Sequence, residues 1–196
     1  MTVWEGYRSF MVRVIREALS SVESGPFTID DLDNTPDDGR RRELFDGSVT
    51  VSPAPSGRHQ LVLVRLAHRL LLRIPVGLDV IVAPYDWVVS PTTVLQPDLL
   101  VVRREALLQR LVEVPLLVAE VRSPSTQRLD ATLKRRIYAD AGVPVYLLVD
   151  PDEPAVEVLE LDGGDYTSVA TAGRDDVLEL VRPFAVSFLP RELVGE

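Results

Sequence analysis

Val94-Leu95-Gln96-Pro97-Asp98-Leu99-Leu100-Val101-Val102 is an apolar run with a carboxylate in its middle. It reads as a core strand, a place where charge is normally avoided. Leu116-Leu117-Val118-Ala119-Glu120 repeats the pattern, again with an acid where an apolar residue is expected. A lone buried charge is costly or is forced neutral unless a partner or a metal compensates. Two such acids mark a site rather than two lapses of patterning.

A third misplaced charge, Lys134, lies in the helix expected over 126–141. At about 100° per residue, with Leu133 at zero, Ile137 falls near ~40°, Ala141 near ~80° and Tyr138 near ~140°. Those residues form the inward stripe. Lys134 falls inside it near ~100° and Asp130 near ~60°, whereas Arg135 and Arg136 point elsewhere. An Asp130–Lys134 pair one turn apart is the ordinary structural alternative. On the strands, residues two apart share a face, which pairs Gln96 with Asp98 and Glu120 with Arg122. If both faces meet the same helix, Asp98, Glu120, Arg122 and Lys134 converge. Two neighbouring carboxylates repel unless a divalent cation lies between them, and hard oxygen ligands suit Mg²⁺ or Mn²⁺. Such an ion polarises a phosphoryl oxygen and activates water, and a nearby cation stabilises the transition state.

Outward from these segments, the 196 residues suit one core-bearing domain with a helical extension. Trp4, Tyr7, Met11, Val14, Ile15 and Ala18 recur at helical spacing over 4–21. With Phe10, they predict an N-terminal helix within 1–27 that packs on the core at 28–196 or meets a second copy. Thr28-Ile29-Asp30-Asp31 has capping-box spacing. Asp46-Gly47 between Arg42-Glu43-Leu44-Phe45 and Val49-Thr50-Val51 predicts a hairpin. A helix over 57–73 carries Leu61, Val64, Leu66, Leu70 and Leu71. Further strands are expected near 79–83, 86–89, 94–102, 115–122 and 145–149, then a hairpin over 156–170. The mixed order gives an α/β (α+β) chain with a central mixed sheet flanked by helices.

The chain has no cysteine, which excludes disulfides and thiolate metal sites and fits a reducing cytoplasm. No apolar run is long enough to span a membrane, and the start lacks a signal-peptide pattern. A net charge of −9 argues against a broad electrostatic grip on nucleic acid, although local patches such as Arg40-Arg41-Arg42 and Arg103-Arg104 remain. Ser123, Ser125 and Thr126 read as helix caps rather than nucleophiles, since no histidine base can be placed beside them.

Gln96-Pro97-Asp98-Leu99, Glu120-Val121-Arg122-Ser123-Pro124-Ser125-Thr126, Lys134 and Tyr138-Ala139-Asp140-Ala141-Gly142-Val143-Pro144 together resemble the Uma2 restriction-endonuclease branch of the PD-(D/E)xK nuclease superfamily. Glu43-Leu44-Phe45-Asp46-Gly47, Ser52-Pro53-Ala54-Pro55-Ser56, His59-Gln60 and Tyr146 through Asp150-Pro151 extend the likeness over about residues 28–170. The resemblance implies a restriction-endonuclease-like fold with Asp98 and Glu120 as metal ligands, Val121 adding a backbone carbonyl, and Glu43 as a further or water-mediated ligand. Lys134 resembles the branch's migrated catalytic lysine, because Arg122 stands where the wider superfamily has it. Arg122 then assists the lysine, replaces it or neutralises the acids. His59 and Gln60 are candidates to orient substrate or metal-bound water. The expected activity is Mg²⁺- or Mn²⁺-dependent cleavage of DNA, with a homodimer addressing two strands. Its rivals are a nuclease-fold binding or scaffold protein without catalysis and a metal-dependent hydrolase of RNA or nucleotides.

Overall fold

Pro97 divides the apolar run at 94–102 into two strands that belong to different sheets, β5 (Thr93–Leu95) and β6 (Leu99–Arg103). Proline has no N–H to give to a ladder and restricts the residue before it, so pairing stops there. The expectation of one strand over 94–102 is corrected, and Gln96 and Asp98 lie in the crossing between sheets. This structure is a computed structural model that describes residues 26–36, 38–122 and 129–196, without the side chains of 129–131. The expected helix over 4–21, the proposed caps Ser123, Ser125 and Thr126, and the Asp130–Lys134 pairing lie outside that description.

In chain order the flanking elements are α1 (Ile29–Asp33), β1 (Arg41–Phe45), β2 (Ser48–Ser52), α2 (Gly57–Leu71), β3 (Leu78–Val82) and β4 (Trp87–Ser90). After β6 come β7 (Leu117–Val121), α3 (Leu129–Ala141), β8 (Val145–Asp150), β9 (Ala155–Asp162) and β10 (Asp165–Ala172). β11 (Leu178–Leu180), β12 (Val186–Phe188) and α4 (Pro190–Val194) follow. These last elements have no counterpart in the sequence reading, because three-residue strands and a five-residue helix carry too little periodicity to register.

The central sheet has six strands in the order β10-β9-β8-β7-β6-β3. It is mixed: β7 and β8 run parallel, joined by α3, while β6 and β7 run antiparallel. A second, four-stranded antiparallel sheet of order β2-β1-β5-β4 was not anticipated. Its β1–β2 hairpin turns at Asp46-Gly47 as expected, with φ of 45° and 79°. The left-handed conformation favours glycine at 47, and a Cβ there would lie 2.2 Å from Cβ of Pro26.

Alternation sorts the central sheet into two buried faces. Leu99, Val101, Leu117, Ala119, Leu147 and Val149 pack with Val62, Leu63, Leu66 and Leu70 of α2. Leu100, Val102, Val118 and Tyr146 face Tyr138 and Ala139 of α3, together with Phe45, Trp87 and Leu95 of the small sheet. The Tyr138 ring anchors this second layer, 5.9 Å from Trp87 and edge-on to Tyr146 at 5.2 Å. On α2 the expected apolar face is partly wrong. Leu61, Val64 and Leu71 are exposed, whereas His59, Val62, Leu63, Leu66 and Leu70 are buried at helical spacing. Leucine and valine occur all around this helix, so sequence pattern alone cannot orient it. No described helix is long and apolar enough to cross a membrane.

Leu147 is fully buried in the strand between β7 and β9. Leu147→Ala should lower unfolding free energy by roughly 2–5 kcal/mol, the range for emptied core leucine sites. Urea denaturation followed by far-UV circular dichroism would check this, and a loss below about 1 kcal/mol would contradict the packing described.

Candidate active site

Asp98 stands just before β6, where the chain crosses from the small sheet into the central one. It is only 3% exposed. Its Oδ2 accepts the Val121 amide at 2.9 Å and meets His59 Nε2 at 3.0 Å. Its Oδ1 accepts from Arg41 Nη1 at 3.1 Å. His59 reaches this point because Ser56 caps α2, its hydroxyl accepting the His59 amide at 3.2 Å, which places the imidazole in the first turn. Burial opposes ionisation of Asp98. The His59 contact, the Arg41 charge and the Val121 amide outweigh it and hold this carboxyl below the usual carboxylate range. The same contact with Asp98 raises His59 above the ordinary histidine value.

Glu43, on β1, is brought to the site by pairing between β1 and β5, with Leu44 opposite Val94. Its Oε1 accepts the Gln96 amide at 2.9 Å. Lys134, 5% exposed, bridges the two sheets: its Nζ lies 3.0 Å from Glu43 Oε1 and 3.1 Å from Glu120 Oε1. One turn further along α3, the Tyr138 hydroxyl donates to the same Glu120 oxygen at 2.6 Å. Burial alone would depress the lysine. Glu120 and Glu43 more than reverse this, so its pKa lies above the ordinary value and the ammonium stays charged. Glu120 behaves in the opposite way from Asp98. Burial pushes it up to about 7 against the pull of Lys134, and the charges of Asp98 and Glu43 add to the rise.

The structure therefore joins Asp98, Glu120, Lys134, Glu43 and His59, with Val121 tied in through its amide. Arg122 is not brought in. It shares parity with Glu120, but the strand ends at Val121, and its guanidinium turns to Asp150 at 3.4 Å. Gln60 is exposed on the outer side of α2, away from the imidazole of its neighbour. Two participants were missed. Arg41 looked like one of three surface arginines, yet only Arg40 and Arg42 are tied to surface Asp38. Arg41 and Glu43 are two apart on one strand, so they share a face, and that spacing was the available signal. Tyr138 was recognised on the inward stripe of α3 but not as the hydrogen-bond partner of Glu120.

The donor chemistry fits Mg²⁺ or Mn²⁺, since Asp98, Glu120 and Glu43 supply hard carboxylate oxygens. In the present geometry Lys134 and Arg41 stand between those oxygens. Among the described residues no three His, Asp or Glu side chains surround a common cation position.

Residues 29–190 match the Uma2 family, described as "Putative restriction endonuclease". Among solved structures, the chain is similar to one from Anabaena variabilis ATCC 29413, described as "a putative nuclease belonging to DUF820". The TM-score is 0.72 at 17% identity, over 86% of this chain and 98% of that one. This likeness shows a shared restriction-endonuclease-like fold. No curated protein matches the sequence.

The raised Glu120 predicts a pH dependence of stability. Between its ordinary value of 4.5 and about 7 in the fold, the native state holds a proton that the unfolded chain releases. Stability from this group is therefore present at low pH and falls as pH rises through that window. His59 acts in the same direction near neutrality, and Asp98 acts oppositely in acid. In metal-free buffer, Glu120→Gln should flatten the decline in urea midpoint between mildly acidic and neutral pH. An unchanged slope would show that Glu120 ionises normally.

Proposed function

We propose that this chain, which belongs to the Uma2 family, is a nuclease that hydrolyses DNA phosphodiester bonds with Mg²⁺ or Mn²⁺. The observation that carries this reading is a buried ammonium, Lys134, held between Glu43 and Glu120 and linked to Asp98 through Arg41, which contacts both Glu43 and Asp98. Asp98, Glu120 and the Val121 carbonyl are the metal ligands in this reading, and Glu43 is a further or water-mediated one. A bound divalent cation would supply Lewis acidity at a phosphoryl oxygen and a lowered pKa for the attacking water.

The protein groups divide the remaining work. Lys134 keeps its proton and offers Nζ–H to the non-bridging phosphoryl oxygen, where charge grows as water adds to phosphorus and the sugar oxygen leaves. Glu43 and Glu120 fix that ammonium, so little reorganisation is needed at the moment of reaction. Tyr138 orients Glu120 through its hydroxyl, and His59 orients Asp98 through Nε2. Arg122, paired with Asp150, contributes only to the surrounding field. DNA as substrate is supported by the superfamily resemblance, and a homodimer would let two such sites address two strands.

A second reading, a nuclease-fold protein that binds without cutting, is favoured by one observation. Each of the three acids already has a cationic partner within the fold. Plasmid and oligonucleotide cleavage with Mg²⁺ and Mn²⁺ at neutral and mildly alkaline pH separates the two. Nuclease action predicts metal-dependent nicking that Asp98→Ala abolishes and Lys134→Met slows by about 10²–10³-fold, the cost of losing a transition-state donor. Both variants would be checked for folding by circular dichroism. Intact DNA under all conditions would exclude the nuclease reading, and cleavage of RNA alone would reassign the substrate.

A further inference from the structure

We propose that Arg41 holds the cation position at Asp98 in the metal-free protein, so that a divalent ion binds there only by displacing its guanidinium. The inference rests on the proposed metal role of Asp98 and adds a residue with which the ion must compete.

The Asp98 oxygens are not equivalent. Oδ2 is filled by the Val121 amide at 2.9 Å and His59 Nε2 at 3.0 Å, both from backbone or buried groups. Oδ1 is therefore the oxygen left for a metal, and Arg41 Nη1 sits on it at 3.1 Å. The other arm of the fork reaches the Gln96 carbonyl and stands 3.5 Å from Glu43 Oε1. One guanidinium thus spans the oxygens of two acids and a backbone carbonyl, the kind of ligand set that a hard cation collects.

Charge balance points the same way. The cluster holds three carboxylates, Glu43, Asp98 and Glu120, against the cations Lys134 and Arg41, with His59 able to add a third. A dication added at Asp98 with the guanidinium still in contact meets like-charge repulsion in a largely dry site. One cation has to leave, and the two differ in their freedom to do so. The Lys134 side chain is 7% exposed and is gripped by two carboxylates. The Arg41 side chain is 21% exposed, and its buried Nε has no hydrogen-bond partner among the described residues. Arg41 is the cation with an incomplete set of bonds and a path to solvent.

Calorimetric titration of Mn²⁺ into the wild type, Arg41→Met, Arg41→Lys and Asp98→Asn tests the assignment, with circular dichroism to verify folding. Removing the competing charge should tighten Mn²⁺ binding by on the order of tenfold in Arg41→Met. Arg41→Lys, which keeps a charge but loses the fork, should fall between it and the wild type. The rise in Tm on adding Mn²⁺ should be larger in Arg41→Met than in the wild type, because the metal then neutralises an acid left without its partner. If Arg41→Met does not fold, the order of Arg41→Lys and wild type decides. Asp98-dependent Mn²⁺ binding that is unchanged or weaker in the Arg41 variants overturns the role of Arg41 and leaves the metal reading standing. Absence of Mn²⁺ binding in every variant, or binding indifferent to Asp98→Asn, overturns both.

Discussion

The ammonium of Lys134 is the tie between three parts of this fold. It comes from α3, which connects the parallel pair β7 and β8, and it meets Glu120 on the central sheet and Glu43 on the small sheet. Lys134 and Glu43 are buried and Glu120 is half-buried, so each charge depends on the others for its partner. A buried ion pair is a weak source of net stability, since desolvation consumes most of the Coulombic gain, but removing one partner is expensive. The arrangement therefore fixes how α3 and the two sheets meet more than it adds to overall stability. The apolar contacts of Tyr138, Trp87 and Tyr146 lie beside it and supply the burial that makes the pairing necessary.

Around this tie, two carboxylates of similar intrinsic acidity are driven apart. Asp98 receives a backbone amide, an imidazole and a guanidinium, and remains ionised far into acid. Glu120 receives an ammonium and a phenol but no backbone donor among the described residues, lies near two other acids, and is pushed up to about 7 by burial and their charges. Divergent environments for paired carboxylates are a common property of sites that handle protons and metals. Here the divergence arises because Asp98 lies at a chain crossing, where backbone and side-chain donors are available. Glu120 projects from a strand whose backbone is already paired.

Several parts of the site were legible in the residues. Asp98, Glu120 and Lys134 stood out because apolar periodicity is strict wherever an element is covered, so a charge inside it is conspicuous. The Asp46-Gly47 hairpin was legible because positive φ at successive positions restricts composition. Arg41 was hidden inside a run of three arginines, where the expectation of solvation masks the single member that turns inward. Arg122 was misplaced because alternation was extended one residue past the end of β7. Pro97 marks the division of the run 94–102 between two sheets, against the hydrophobic continuity that predicts a single strand.

By itself, the sequence determined which segments must be buried, where the chain turns and which charges violate the burial pattern. Those properties follow from local sterics and from the free energy of transferring each side chain out of water, and neither requires knowledge of distant neighbours. Only the tertiary structure decided which charges meet. Glu43 and Lys134 are ninety-one positions apart in sequence (43 to 134) and 3.0 Å apart in space. Arg41 lies against Asp98 because β1 pairs with β5 across a sheet that no local pattern announced. Electrostatic partnership falls off within a few ångströms and ignores sequence distance, so it is a property of the assembled layers.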